Sequence, residues 1–200
     1  MEIASKFDHT KWPAIEAKLD DPKAPEWETA VGVVKRRIAE RYLDPIDELI
    51  KLDPPEYNKR RFGFTIMAIE CLLIETLQQF FDGKPESEKV GTAFETFLTK
   101  TPGFSEYFDI AAAKKFYNDF RNGILHQAEI KNDSRVWSVN DKVMEQLDGA
   151  MIVDRTEFHK TMKTVFQTYV TRLLDPAEVK LRDAFREKMR YVSRMKTIAG

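Results

Sequence analysis

The fold of this chain is decided by its most apolar stretch, residues 62–81, which read FGFTIMAIECLLIETLQQFF. Its apolar side chains cover most of the circumference of a helix, and a helix that is apolar nearly all round lies at the centre of a bundle. Glu70, Glu75 and Gln78 interrupt the run. We therefore predict a buried central helix over residues 60–82, and we do not expect a membrane span.

Amphipathic helices are predicted on both sides of this central helix. Apolar residues recur at helical spacing from Glu26, and Asp44-Pro45 is typical of a helix start, so the first long helix should be kinked or restarted there. Further helical patterns follow after the central helix, and they cover residues 88–100, 110–128, 154–174 and 175–200. Together these patterns predict an all-α fold.

Two regions lack the helical period. Residues 134–153 are expected to contain a small β-hairpin, because the β-prone segments 135–139 and 150–153 are bracketed by Asn-Asp and Asp-Gly pairs. Residues 1–25 are rich in Lys, Asp and Pro and are expected to form an irregular N-terminal arm. The remaining residues, 26–200, are expected to form a single domain.

Charge and cysteine content limit the function classes. Proteins that bind nucleic acid nonspecifically are usually strongly basic, whereas this chain has a formal net charge of −1. Any contact with RNA must therefore come from a local basic patch. The single cysteine, Cys71, excludes an intramolecular disulfide and suits a reducing compartment. Because the N-terminus also lacks the pattern of a secretory signal, we expect a cytoplasmic protein that does not associate with a membrane.

The residues that suggest chemistry lie in the helical pattern over 110–128. Phe116 and Phe120 belong to its apolar stripe, and Asn118, Asn122 and His126 fall on the opposite face. Packing needs no arginine, asparagine or histidine there. Phosphodiester chemistry uses all three, as a fixed cation, an orienting amide and an imidazole that titrates near neutral pH.

This segment resembles the signature of the HEPN superfamily. In that signature an arginine, usually followed by a polar residue, is separated from a histidine by four to six intervening residues. Here Arg121 is followed by Asn122, and four residues separate Arg121 from His126. The resemblance implies a HEPN-like bundle of about five main helices. It also implies a homodimer in which two copies of the motif face each other.

The activity implied by the resemblance is metal-independent endoribonuclease cleavage of RNA without a cofactor, as in toxins and antiphage-defence effectors. Arg121, His126 and Asn122 would be the catalytic residues, and Asn118 on the same face would contact the substrate. A cognate antitoxin is a candidate partner. Some members carry a tyrosine two residues after the histidine as a target for nucleotidylation, but Ala128 occupies that position here.

Other functions remain open. The same residues fit a solvated helix face, a non-catalytic helical module that binds a protein or nucleotide partner, or a structural dimer subunit. The basic final helix over 179–200 is either an RNA-binding face or a solvated helix end.

The remaining titratable residues suggest structural roles. His9 and His159 are expected at the surface, and Cys71 is expected to be packed and inert. Glu70 and Glu75 need partners if they are buried, and Arg121 is one candidate. The histidines and the cysteine show no metal-ligand spacing.

Overall fold

The computed structural model describes residues 1–139 and 141–194, and it is mainly helical with two small sheets. This confirms the predicted mainly-α class, whereas the HEPN-like identity stays a prediction. Contacts group the chain into two compact units. The first unit consists of Met1–Arg41, Gln79–Ser87 and the described residues from Phe166 onward, and the second consists of Tyr42–Gln78 and Glu88–Val165. The expectation of one domain over 26–200 remains untested.

Two π-helical segments, Ala39–Leu43 and Tyr117–Asn122, join helices that are otherwise continuous. The α-helices of the described residues are α1 (Trp12–Glu16), α2 (Glu26–Ile38), α3 (Asp44–Leu52), α4 (Gly63–Asp82), α5 (Val90–Lys100), α6 (Ile110–Phe116), α7 (Gly123–Gln127), α8 (Arg155–Leu174) and α9 (Val179–Val192). The strands are β1 (Glu2–Ala4), β2 (Phe7–Asp8), β3 (Arg135–Trp137), β4 (Met144–Leu147) and β5 (Ala150–Asp154).

Helix boundaries lie where local chemistry predicts them. The restart of the first long helix is confirmed, since α3 begins at Asp44 directly after a π-helical segment. Pro45 has no N–H to continue the α-helical bonding pattern there. Helix α4 ends at Asp82, and Gly83 adopts the left-handed φ of +68° that a helix C-cap favours. Asp154 caps α8 by accepting hydrogen bonds from the backbone N–H groups of Thr156 (2.8 Å) and Glu157 (3.1 Å).

The core of the second unit is a cluster of phenylalanine rings. Phe116 of α6 stacks on Phe120 with a centroid separation of 4.9 Å, and it also stacks on Phe158 of α8 at 5.5 Å. All three rings are fully buried. The apolar stripe predicted for residues 110–128 therefore packs into this core, and it fixes the orientation of the motif helix by burial of aromatic surface.

Residues 1–25 belong to the first unit, and several of their side chains are buried in it. Ile3, Trp12 and Leu19 are buried, and the Trp12 ring contacts that of Phe185 in α9 at 6.0 Å. These residues include β1, β2 and α1, so the structure differs from the expectation of an irregular segment. The elements are too short to give a recognisable periodicity, and their stability comes from burial against α9.

The cations of α9 are used inside the first unit. Buried Glu16 accepts hydrogen bonds from Arg186 Nε at 3.0 Å and from Arg190 Nε at 3.0 Å. Buried Arg182 lies over the Trp27 ring at 3.6 Å. Three of the seven cations in residues 179–200 are therefore engaged by groups of the first unit, and Lys196 lies outside the described residues.

The predicted hairpin forms, but one of its strands was assigned wrongly. Strands β4 and β5 pair antiparallel across Asp148-Gly149, whose φ values of 49° and 82° are those of a two-residue hairpin turn. Strand β3, which was expected to be the hairpin partner of β5, instead pairs with it in parallel. A parallel pair needs a long connection, and the residues between β3 and β5 provide it by including β4.

Helix α4 is long and apolar enough to cross a membrane by length and composition, and 50% of its most apolar window is buried. A core helix of a soluble protein meets the same criterion. Glu70 is fully buried in this helix.

Candidate active site

A π-helical segment carries the motif. Tyr117–Asn122 lies between α6 and α7, and single π turns inside α-helices are frequent at functional sites. The wider turn buries Asp119 beside Phe120, and Tyr117 is half-buried. The buried face of this helix is therefore broader than an α-helical pattern predicts.

Arg121 is held from several sides. Its Nη1 donates to Asn122 Oδ1 at 3.1 Å, and its Nη2 lies 3.9 Å from Glu75 Oε2. The guanidinium also lies 5.6 Å from the centroid of the Tyr117 ring. The Arg121 side chain is 17% exposed, so it keeps an open side while its orientation is restricted.

The other motif residues lie on the exposed side of the same helix. Asn118 and His126 are exposed and Asn122 is half-buried. Among the residues that the structure describes, His126 makes no hydrogen bond or ion pair, and neither it nor Asn118 is bonded to Arg121. The structure therefore brings Arg121 and Asn122 together and leaves His126 and Asn118 available to solvent.

The end of the motif helix is fixed by a close backbone approach. Ala128 terminates α7 with a left-handed φ of 53°, and the chain then folds back over Gly123. A Cβ atom at Gly123 would lie 2.5 Å from the carbonyl oxygen of Glu129. Only glycine fits beneath this returning segment of backbone, so Gly123 has a steric role.

A buried carboxylate, Asp119, ties the returning loop to the motif helix. Its side chain is 1% exposed and receives hydrogen bonds from Lys115 Nζ at 2.7 Å, Asn132 Nδ2 at 2.6 Å and Ser134 Oγ at 2.7 Å. Its backbone oxygen accepts from the N–H of Lys131 at 3.1 Å. Asp119 therefore links the π-helical segment before His126 to residues 131–134 after it. No pattern in the sequence indicated that Asp119 would be buried.

Comparison of the chain with protein-family models, with curated proteins and with solved structures found no match in any of the three.

The expectation of a surface position for His159 is wrong. Its side chain is 2% exposed, and Nδ1 lies 2.6 Å from Oε1 of fully buried Glu70. Its Nε2 is 3.3 Å from Asp47 Oδ1, close enough for an ion pair but not aligned for a hydrogen bond. His159 faces the core, and its partner Glu70 lies 89 residues earlier in the sequence.

The two carboxylates of α4 have different partners. Glu70 is bonded to His159, while Glu75 is the one near Arg121. Burial raises the pKa of Glu70 above its ordinary value, and the hydrogen bond to His159 opposes that rise in part.

Cys71 and the possible metal ligands were the other candidates for chemistry. Cys71 is buried, and burial raises the pKa of its thiol well above the usual range, so it has the character of an inert packed cysteine. Within residues 1–139 and 141–194, no group of three or more His, Cys, Asp or Glu side chains is arranged to hold a metal ion.

Proposed function

We propose that this protein is a metal-independent endoribonuclease of the HEPN type, acting as a toxin or antiphage-defence effector in the cytoplasm. The observation that carries the proposal is the placement of Arg121 and His126 around the π-helical segment. Asn122 restrains the arginine, while the histidine is exposed and has no partner in the described residues. The buried stripe opposite them leaves this polar face free for a substrate.

The proposed reaction is attack of a 2′-hydroxyl on the adjacent phosphorus. The new P–O2′ bond gives a 2′,3′-cyclic phosphate while the P–O5′ bond breaks. His126 accepts the 2′-hydroxyl proton, and a second imidazole in its protonated form donates to the leaving 5′-oxygen. Arg121 stabilises the extra negative charge of the transition state through its planar fork, and Asn122 and Asn118 orient the phosphate.

A two-fold dimer supplies the second imidazole. One His126 in each chain serves poorly as both base and acid in a single turnover, and a two-fold axis places each motif against its own copy. Leu125, which is 45% exposed beside His126, suits such an interface. The partners proposed for the protein are therefore RNA, a second copy of this chain and a cognate antitoxin.

The direct test is incubation of the pure protein with RNA in the presence of a chelator, followed by analysis of the product ends. Wild type should give 2′,3′-cyclic phosphate ends, and His126→Ala should lose cleavage by about 10²-fold or more. The matched control is His9→Ala, which removes a histidine of the first unit and should cleave like wild type. Cleavage by His126→Ala at the wild-type rate would exclude the catalytic role.

Arg121→Lys tests the role of the guanidinium. Lysine keeps the charge but loses the bidentate fork, so cleavage should remain strongly impaired. Full activity of this variant would show that Arg121 acts only as a diffuse charge.

A second candidate function is favoured by the Glu75 carboxylate. Glu75 lies 3.9 Å from Arg121 and already offsets part of its charge, which lowers the attraction for a phosphate. A non-catalytic helical module that binds a protein or nucleotide partner through the same face needs no free arginine. Under this alternative, wild type and His126→Ala would be equally inactive toward RNA, and wild type would bind the partner through this face.

A further inference from the structure

A basic cleft lies in the second unit, at the start of α4 and along β3. It has a volume of about 850 Å³. Its lining includes Arg60, Arg61, Arg135 and Arg155, together with the aromatic rings of Phe64 and Trp137. None of the described residues that line it is acidic. A concentration of cations in a protein with a net charge of −1 marks this cleft as a site for an anion.

Arg155 provides an unsatisfied donor in this cleft. Its side chain is 3% exposed and forms an ion pair with Asp53 through Nη2. Its Nη1 is also buried, but it has no hydrogen-bond partner in the part of the chain that the structure describes. A buried N–H group without an acceptor is costly, and a charged one is more so. An anion bound in the cleft would supply the missing acceptor.

The neighbouring arginines leave their charges available. Arg60 donates to the backbone oxygens of Pro54, Pro55 and Ser138, so it is held in place by carbonyl groups, with no ion pair to a carboxylate of the described residues. Arg61 and Arg135 are exposed, and neither side chain forms an ion pair within residues 1–139 and 141–194. Two fixed and two movable guanidinium groups therefore surround one cavity, as in phosphate recognition by arginine.

The aromatic rings in the lining indicate which class of anion fits the cleft. Trp137 is half-buried and Phe64 is 38% exposed, and both border the same cavity as the arginines. Bases stack on such rings in proteins that bind single-stranded nucleic acid, while the backbone phosphates contact cations. We propose that this cleft binds a nucleotide, with its phosphate on Arg155 and Arg60 and its base against Trp137. The nucleotide comes either from a single-stranded RNA or from a free nucleoside triphosphate.

The test is equilibrium binding of two probes to the intact protein, measured by fluorescence anisotropy. One probe is a labelled 2′-O-methyl RNA decamer, which lacks the 2′-hydroxyl and cannot be cleaved, and the other is a labelled ATP analogue. Binding therefore succeeds or fails independently of the ribonuclease activity proposed above. Wild type should bind at least one of the probes, and the source of the nucleotide is the probe whose binding depends on the cleft arginines.

Two exposed arginines can be removed with little risk to the fold. Arg61→Gln combined with Arg135→Gln should weaken binding by about tenfold or more and reduce its dependence on salt. The matched control is Lys35→Gln combined with Arg36→Gln, which removes two exposed cations from α2 and should bind like wild type. Equal loss in both double variants would overturn the proposal, because it would show a nonspecific charge effect.

Trp137→Ala separates recognition of the base from recognition of the phosphate. It should weaken binding of the nucleotide probe and leave competition by inorganic pyrophosphate unchanged. If Trp137→Ala binds both probes as tightly as wild type does, and pyrophosphate competes equally with both proteins, the cleft recognises phosphate alone. That result would overturn the nucleotide assignment. Failure of wild type to bind either probe would also overturn it.

Discussion

Individual side chains of the second unit carry charges that their neighbours partly compensate. Arg121 is held by Asn122 and approached by Glu75, and Arg155 is paired with Asp53. Both terminal nitrogens of Arg121 have partners within the protein, whereas Arg155 is paired through Nη2 alone and its Nη1 has no hydrogen-bond partner among the described residues. The pairing of Arg155 fixes the orientation of the cation while leaving it able to bind an anion.

The charge state of Glu70 depends on its burial in the fold. Burial raises its pKa from the ordinary value of 4.5. Its Oε2 is buried with no partner among the described residues, which also favours the protonated form. A carboxyl with a raised pKa binds more protons in the folded chain than in the unfolded one. Its contribution to stability is therefore complete below pH 4.5 and is lost as the pH rises through the folded-state pKa.

We accordingly predict that Glu70→Gln gains stability relative to wild type as the pH rises. Glutamine keeps the size and the hydrogen-bonding capacity of the protonated carboxyl, but it does not ionise. Urea unfolding of both proteins from about pH 4 to about pH 8 should show the free energies of unfolding diverging in favour of the variant. If wild type instead gains on the variant as the pH rises, Glu70 acts as an ionised partner of His159.

At the scale of elements, the motif depends on the packing of one short connection. Residues after α7 fold back over Gly123, and Asp119 holds them through Asn132 and Ser134. Alanine is the better helix former, so local propensity alone would favour it at position 123. The tertiary contact with the Glu129 carbonyl opposes that preference.

Gly123→Ala should therefore destabilise the protein by about 1–3 kcal/mol, because the added Cβ would force the Glu129 carbonyl to move. Gly32→Ala is the matched control in the middle of α2, where a Cβ would meet no other described atom within 4 Å. That variant should stabilise the protein by about 0.4–1 kcal/mol. Thermal unfolding of the two variants measures both effects, and equal changes of the same sign would contradict the steric role of Gly123.

Elements were predictable where their signals are local. The start of α3, the end of α4 at Gly83 and the capping of α8 by Asp154 all depend on residues adjacent in the sequence. The hairpin was found because Asp-Gly is a turn signal, yet the partner of β5 was wrong. Alternating apolar residues predict a strand, but they do not predict which strand pairs with it or whether the pair is parallel or antiparallel.

At the scale of the whole molecule, the proposed activity depends on the assembly of two chains. The proposed chemistry needs two imidazoles, and the described chain provides a single motif histidine that is exposed. The exposed Leu125 lies beside it. An isologous dimer through this face would bring two copies of His126 to one substrate and cover the leucine.

We predict a homodimer at micromolar concentration, with a mass in sedimentation of about twice that of the chain. Mixed dimers of Arg121→Ala and His126→Ala subunits should recover part of the cleavage that each variant lacks, provided that each site uses groups from both subunits. Leu125→Asp should weaken the dimer and lower cleavage in parallel. A monomer that cleaves RNA at the full rate would refute the composite site.

The sequence by itself determined the helices and the position of the motif on them. Periodicity, capping residues and prolines act over a few residues, so they are readable without the fold. It also gave Arg121, Asn122 and His126 as candidates, because their types do not suit the packing of a helix.

Only the tertiary structure decided which distant side chains meet. His159 pairs with Glu70 across 89 residues of sequence, α9 packs on the N-terminal elements, and Arg60 joins Arg155 around one cleft. These contacts depend on the direction of each side chain after the elements pack, and local periodicity carries no information about that direction. For the same reason the buried His159 was mistaken for a surface residue and the basic cleft gave no signal in the sequence.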